Sequence, residues 1–116
     1  MASERNILVY EGDDTPVIFT LKKDDVEIDL TGGTVEMIIK TDINKADNDT
    51  STVTYSSAGG GAAITILNQT TNKGQCSVTV LNSDLQNKPN LRFRVRLTKT
   101  PEKRTYIYGR IDRVNV

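Results

Sequence analysis

Residues 91–111 read "LRFRVRLTKTPEKRTYIYGRI". Leu91, Phe93, Val95 and Leu97 alternate with Arg92, Arg94, Arg96 and Thr98, a period of two that places apolar side chains on one face of a strand and guanidiniums on the other. The Thr-Pro-Glu stretch turns the chain, and Arg104 to Ile111 runs back. A three-residue loop over Pro101–Lys103 predicts Thr100 opposite Arg104, Val95 opposite Gly109, Phe93 opposite Ile111 and Arg96 opposite Tyr108. In that register Ile107, Gly109 and Ile111 face a core, while Tyr106, Tyr108 and Arg110 join the arginines outside and Arg92 meets Asp112. One hairpin cannot bury its own apolar face, so a second sheet must cover it.

The chain upstream repeats the pattern. In "EIDLTGGTVEMIIK", residues 27–40, Val35, Met37 and Ile39 alternate with Glu36, Ile38 and Lys40. Gly32 and Gly33 read as a corner at which the backbone enters positive φ, so that the short run Val26, Ile28 and Leu30 turns into the next strand. Residues 7–10 form a short apolar segment, Glu11–Asp14 a turn, and Val17, Phe19 and Leu21 an alternating strand entered after Pro16. Lys22–Asp25 reads as a polar hairpin turn. Downstream come a polar loop at 41–51, a return to the sheet at Val53 and Tyr55, a Gly-rich loop at 56–61, a strand over 62–67 and a turn at 68–74 leading into Cys76, Val78 and Val80. Residues 82–90 have room for one helical turn capped by Ser83 or Asp84, because Pro89 stops a longer one. The count is seven to nine short strands in one domain over 1–116, the pattern of a two-sheet sandwich. Its expected core is Val17, Phe19, Leu21, Val35, Met37, Ile39, Ile64, Cys76, Val78, Leu91, Phe93, Val95, Leu97, Ile107 and Ile111.

Composition narrows the chemistry. The 116 residues contain no His, no Trp and a single Cys. The usual neutral-pH proton shuttle is therefore missing, as are an intramolecular disulfide and a thiolate zinc cluster. A non-enzymatic protein without cofactor or metal is expected. No apolar run approaches the roughly 20 residues of a bilayer span, and no basic-then-apolar signal opens the chain, so no membrane insertion is expected. The formal net charge is zero, yet residues 1–49 carry twelve Asp/Glu against five Lys/Arg, whereas residues 88–113 carry nine Lys/Arg against two Asp/Glu. This segregation implies either complementarity inside the molecule or a polarity suited to ordered contact with copies of itself or a partner.

Arg92, Arg94, Arg96 and Arg110 with Tyr106 and Tyr108 are the candidate interface, since Arg and Tyr are enriched at protein interfaces. Nucleic acid is not the expected partner: the net charge is zero and no recognised motif accompanies the patch. Asp42, Asn44, Asp47 and Asp49 offer oxygen ligands to calcium but lack the glycine and spacing of an EF-hand. The Asp13/Asp14 and Asp24/Asp25 pairs are turn formers rather than acid–base dyads. Cys76 shares the core phase of Val78 and Val80 and reads as a buried, inert thiol. The alternative function is a glycan-binding module, for which Tyr10, Tyr55, Tyr106 and Tyr108 are the tyrosine candidates for stacking.

Two stretches together carry a family resemblance. "GDDTPVIFTL", residues 12–21, followed by "DLTGGTVEMIIK", residues 29–40, resembles the N-terminal immunoglobulin-like domain of bacteriophage baseplate upper proteins and related small phage tail-structure proteins. Gly12 and Asp13 match its leading turn, and Phe19 and Leu21 the strand that follows. Asp29, Leu30, Thr31 and Gly32, with Gly33 after them, match its corner, and Val35, Met37 and Ile39 the next strand. Ser83 and Asp84 before "LRFRVRL" and Gly109 near the end fit the same layout. The resemblance implies an all-β, immunoglobulin-like antiparallel β-sandwich of about seven to nine strands. It also implies a virion structural protein of the tail or baseplate, made in the host cytoplasm, whose partners are copies of itself or other virion structural proteins.

Overall fold

The computed structural model describes residues 2–41, 52–59, 63–85, 90–99 and 102–114. In chain order it contains β1 (Ser3–Glu4), β2 (Ile7–Tyr10), β3 (Thr15–Thr20), β4 (Lys22–Lys23), β5 (Val26–Glu27), β6 (Thr34–Lys40), β7 (Val53–Ser56), β8 (Ile64–Ile66), β9 (Gln75–Val80), the helical turn α1 (Asn82–Leu85), β10 (Arg92–Lys99) and β11 (Glu102–Val114). The fold is all-β, with its helical turn inside the 82–90 stretch. The strand count departs from the expectation of seven to nine. Eleven strands among the described residues form three sheets, one of six strands, one of three and the separate ribbon β4–β5. The surplus comes from the N-terminal run, which breaks into β1 and β2, and from the Lys22–Glu27 stretch, which folds on itself.

In the six-stranded sheet β7, β6, β10 and β11 are antiparallel neighbours, and both β1 and β2 lie parallel along the far side of β11. Ser3 stands opposite Ile107 and Ile7 opposite Ile111, so one register is kept across the break at Arg5–Asn6. The other sheet is β3–β9–β8, antiparallel throughout. Every expected core residue is buried, and Ile7, Val9, Leu30, Tyr55, Val80, Leu85 and Tyr106 join them in one cluster. Phe19 of β3 meets Phe93 of β10 across the two sheets, ring centroids 5.8 Å apart and planes tilted by 38°. Burial raises the Cys76 thiol pKa to about 11, the inert state expected of it.

The β10–β11 register differs from the sequence-based one. Phe93 pairs with Gly109, Val95 with Ile107 and Arg92 with Arg110, whereas beyond a bulge Arg96 pairs with Thr105, Leu97 with Arg104 and Lys99 with Glu102. Tyr106 is the extra residue. The tighter connection between Lys99 and Glu102 suits a hairpin, and the bulge restores the phase of Ile107. Tyr106 and Ile107 are thus buried in succession, and Tyr106 turns inward rather than joining the arginines. An inward aromatic removes far more apolar area from water than the polar residue that strict alternation would place there. The Arg92–Asp112 contact is replaced as well. Arg92 faces Arg110, and Asp112 relieves that crowding by pairing with Arg110 at 3.1 Å.

At the corner only Gly32 has positive φ, at 78°. Gly33 serves close approach instead, since a Cβ there would lie 2.8 Å from Leu97 Cδ1 and 3.3 Å from the Leu30 carbonyl. The Asp29 carboxylate accepts a hydrogen bond from the Thr31 amide at 2.9 Å, and hydrogen bonding from Thr31 holds the Asp29 pKa below its ordinary value. Gly12, at φ 95°, closes the β2–β3 turn, where the Asp13 amide donates to the Tyr10 carbonyl. Gln69, which the sequence placed only within a turn, clamps this corner. Its side-chain oxygen accepts from the Leu30 and Gly74 amides, both at 2.9 Å. Most of the 41–51 loop, with the Asp42, Asn44, Asp47 and Asp49 candidates, lies outside the described residues, as do residues 60–61 of the Gly-rich loop, Pro89, Thr100 and Pro101.

Candidate functional site

Alternation on four adjacent strands assembles one outward surface. The register sets Ile38 beside Arg94, Arg94 beside Tyr108 and Tyr108 beside Glu4, with Lys40, Arg92 and Arg110 forming the next row. Arg92, Arg94, Arg96, Tyr108 and Arg110 therefore share the outer face as expected; Tyr106 does not. Arg96 is the least exposed of the arginines whose ion pairs are resolved. Its guanidinium lies 3.1 Å from Glu36, with both side chains about three-quarters or more shielded from solvent. This pair joins the acidic and basic parts of the sequence inside the molecule. Lys99 and Arg113 instead donate to backbone carbonyls, those of Asp29 and Leu85. The other acidic groups of residues 1–49 that lie among the described residues, Asp24 and Asp25 included, are exposed. The Arg96–Glu36 pair is the internal complementarity that the charge segregation allowed.

The surface is not flat. An open depression of about 400 Å³ is lined by Ile38, Lys40, Arg92, Phe93, Arg94, Tyr108 and Gly109. A second hollow of about 510 Å³ adjoins it through Arg92 and continues over Arg110 and Asp112. Ile38 is buried although it points away from the core, a residue that alternation alone reads as part of a mixed face. Leu8 and Tyr10 extend the surface along the edge strand, because Leu8 stands beside Asp112 and alternates with the buried Ile7 and Val9. Both are about half exposed, as is Tyr108.

Of the four stacking candidates, Tyr10 and Tyr108 remain accessible, while Tyr55 and Tyr106 are buried. The Tyr55 hydroxyl donates to Asp84 at 2.7 Å and accepts from the Leu81 amide at 3.1 Å, holding α1 against β7. Burial, and then the hydrogen bond to Asp84, raises its pKa well above the ordinary tyrosine value. Tyr55→Phe is expected to lose about 1–3 kcal/mol of stability in urea unfolding, because a part-buried amide and a carboxylate are left without this partner. An unchanged midpoint and slope would show that the hydroxyl does not hold the helical turn.

Among the described residues no group of three or more His, Cys, Asp or Glu side chains is placed to hold a metal ion. Nor is any helix among them long and apolar enough to cross a membrane. No protein-family model matches the chain, and the search of curated proteins finds none similar to it.

Proposed function

We propose that this chain is a non-enzymatic, immunoglobulin-like structural subunit of a bacteriophage tail or baseplate, which assembles with copies of itself or neighbouring virion proteins through the outer face of its larger sheet. The strand order supports the immunoglobulin-like part of this reading. An edge strand parallel to β11, followed by β11, β10, β6 and β7, faces a β3–β9–β8 sheet. The same order arises when the last, sixth and third strands of an immunoglobulin-like domain share one sheet and the second, fifth and fourth share the other. The phage assignment rests on the resemblance of residues 12–40.

One observation carries the interface: arginines and a tyrosine surround a depression with an apolar floor, on a face continued by half-exposed Leu8 and Tyr10. A surface used only for solvation has no need of that apolar content. Exposed ion pairs contribute only about 0–1 kcal/mol each, so the arginines orient and select the partner while Tyr108 and its apolar neighbours supply most of the affinity. Sedimentation at several protein and salt concentrations tests this directly. The mass is expected to rise with concentration, and Arg94→Glu is expected to move that rise to about tenfold higher protein, the shift given by roughly 1.4 kcal/mol. A strictly monomeric protein, alone and mixed with virion tail or head components, would overturn the proposal. Loss of a glycan-array signal on changing Tyr10 and Tyr108 in such a monomer would favour the glycan-binding alternative.

A further inference from the structure

We infer that the side of β2 away from β11 pairs antiparallel with β2 of a second copy of this chain, about a two-fold axis at Leu8, so that the larger sheets of two subunits run on as one. The inference rests on the assembly reading above and gives it a specific contact: the edge joins subunits in pairs, and the outer face joins those pairs to one another or to neighbouring virion proteins. The backbone carries it. The Arg5 amide donates to the Tyr108 carbonyl and the Glu11 amide to the Val114 carbonyl. Both bonds fall in the register that sets Ile7 opposite Ile111, so the odd-numbered residues of this run turn their amides toward β11. Leu8 and Tyr10 therefore aim their N–H groups away from the sheet, and among the described residues no strand pairs with that side of β2.

The edge of the smaller sheet shows how this chain closes a strand that is to stay unpaired. In β3, Pro16 has no N–H to offer, and the Ile18 carbonyl is taken by the Arg5 guanidinium at 2.6 Å. Proline and charged side chains are the common guards of an edge. Asn6–Tyr10 has neither, and its Leu8 and Tyr10 side chains are about half exposed. The lack of charge also lets the strand meet itself, since a two-fold contact sets each residue against the same sequence in reverse. Leu8 takes the axis because the Tyr10 carbonyl already accepts from the Asp13 amide. In that register Leu8 exchanges both backbone bonds with the partner's Leu8, and the two leucine side chains meet on the outer face. Arg5 comes level with the partner's Glu11 at each end, so opposite charges flank an apolar centre and no like charges face each other along the pair.

Cross-linking tests the pairing and its register together. The single Cys76 is buried, so Leu8→Cys introduces one accessible thiol. Hydrogen-bonded antiparallel partners lie about 5.5 Å apart at Cα, within disulfide reach, whereas Tyr10 stands about 13 Å along the strands from the partner's Tyr10. Under mild oxidation Leu8→Cys is expected to form a covalent dimer and Tyr10→Cys is not. Leu8→Lys places like charges on the axis without touching a buried side chain, and sedimentation is expected to show pairing moved to about tenfold higher protein or more. An unchanged far-UV spectrum separates lost pairing from lost folding. Cross-linking of Tyr10→Cys as readily as Leu8→Cys, or of neither in a protein whose mass still rises with concentration, would overturn the edge contact and leave the broader assembly reading standing. A Leu8→Lys protein that associates like its parent would do the same, as would a parent that is monomeric alone yet assembles with virion components. A parent that stays monomeric in both settings would remove both readings.

Discussion

Gly109→Ala is expected to lower the unfolding free energy by about 3–6 kcal/mol, a larger effect than any surface change in this protein. Gly109 sits in β11 where the edge strand breaks between β1 and β2, and a Cβ there would collide with the Arg5 carbonyl and crowd Phe93 Cε1. The obstacle is backbone, which cannot swing aside as a side chain does. It is also anchored: the Arg5 amide donates to the Tyr108 carbonyl at 2.9 Å, its guanidinium donates to the Ile18 carbonyl and lies 5.2 Å from the Phe19 ring centroid. If the edge strand peels away, Ile7 and Val9 lose their burial, at about 1.5–3 kcal/mol each, and the arginine that bridges the two sheets goes with them. Thermal unfolding and hydrogen exchange at Arg5 measure this. The control is Gly59→Ala, where φ is 87° but a Cβ meets nothing within 4 Å, so only the backbone strain of about 1–2 kcal/mol applies. Equal melting temperatures for the two variants would show that the crossing does not depend on glycine.

Phe93→Ala is expected to cost about 3–5 kcal/mol through lost transfer energy and the cavity left between the sheets. Phe93 is 4% exposed and Phe19 fully buried, and they are the only aromatic pair recorded in contact across the core among the described residues. Because the tilted contact contributes beyond its area, Phe19→Ala combined with Phe93→Ala should show a coupling of about 0.5–1.5 kcal/mol in a double-mutant cycle. Chemical unfolding reads both quantities. A loss below about 1 kcal/mol for Phe93→Ala would mean that neighbouring Val95, Leu97 and Phe19 close the space, and that this core is less tightly interlocked than its burial indicates.

The assembly predictions depend on exposed groups and are smaller in energy, yet they decide the biological reading. Charge reversal at Arg94 changes which partner can approach as well as how tightly it is held.

Alternation by itself determined which residues of β3, β6, β9 and β10 point inward, and the turn residues at Gly12–Asp13, Lys22–Asp25 and Asp29–Gly32 marked where the chain reverses. Both signals are local: the pleat sends successive side chains to opposite faces, and the turn positions need residues that tolerate unusual φ or hydrogen-bond their own backbone. The outward arginines were legible for the same reason. Tertiary structure alone decided the rest. An extra residue in β11 cannot be seen in "RTYIYGRI", because a tyrosine suits either face, so the register of the hairpin and the inward turn of Tyr106 depended on what packed against it. The parallel pairing of residues 3–10 with β11 joins segments about 104 positions apart, beyond the reach of any local pattern. The placement of Ile38 between Arg94 and Thr54, on strands far apart in the sequence, is likewise decided only by the folded sheet.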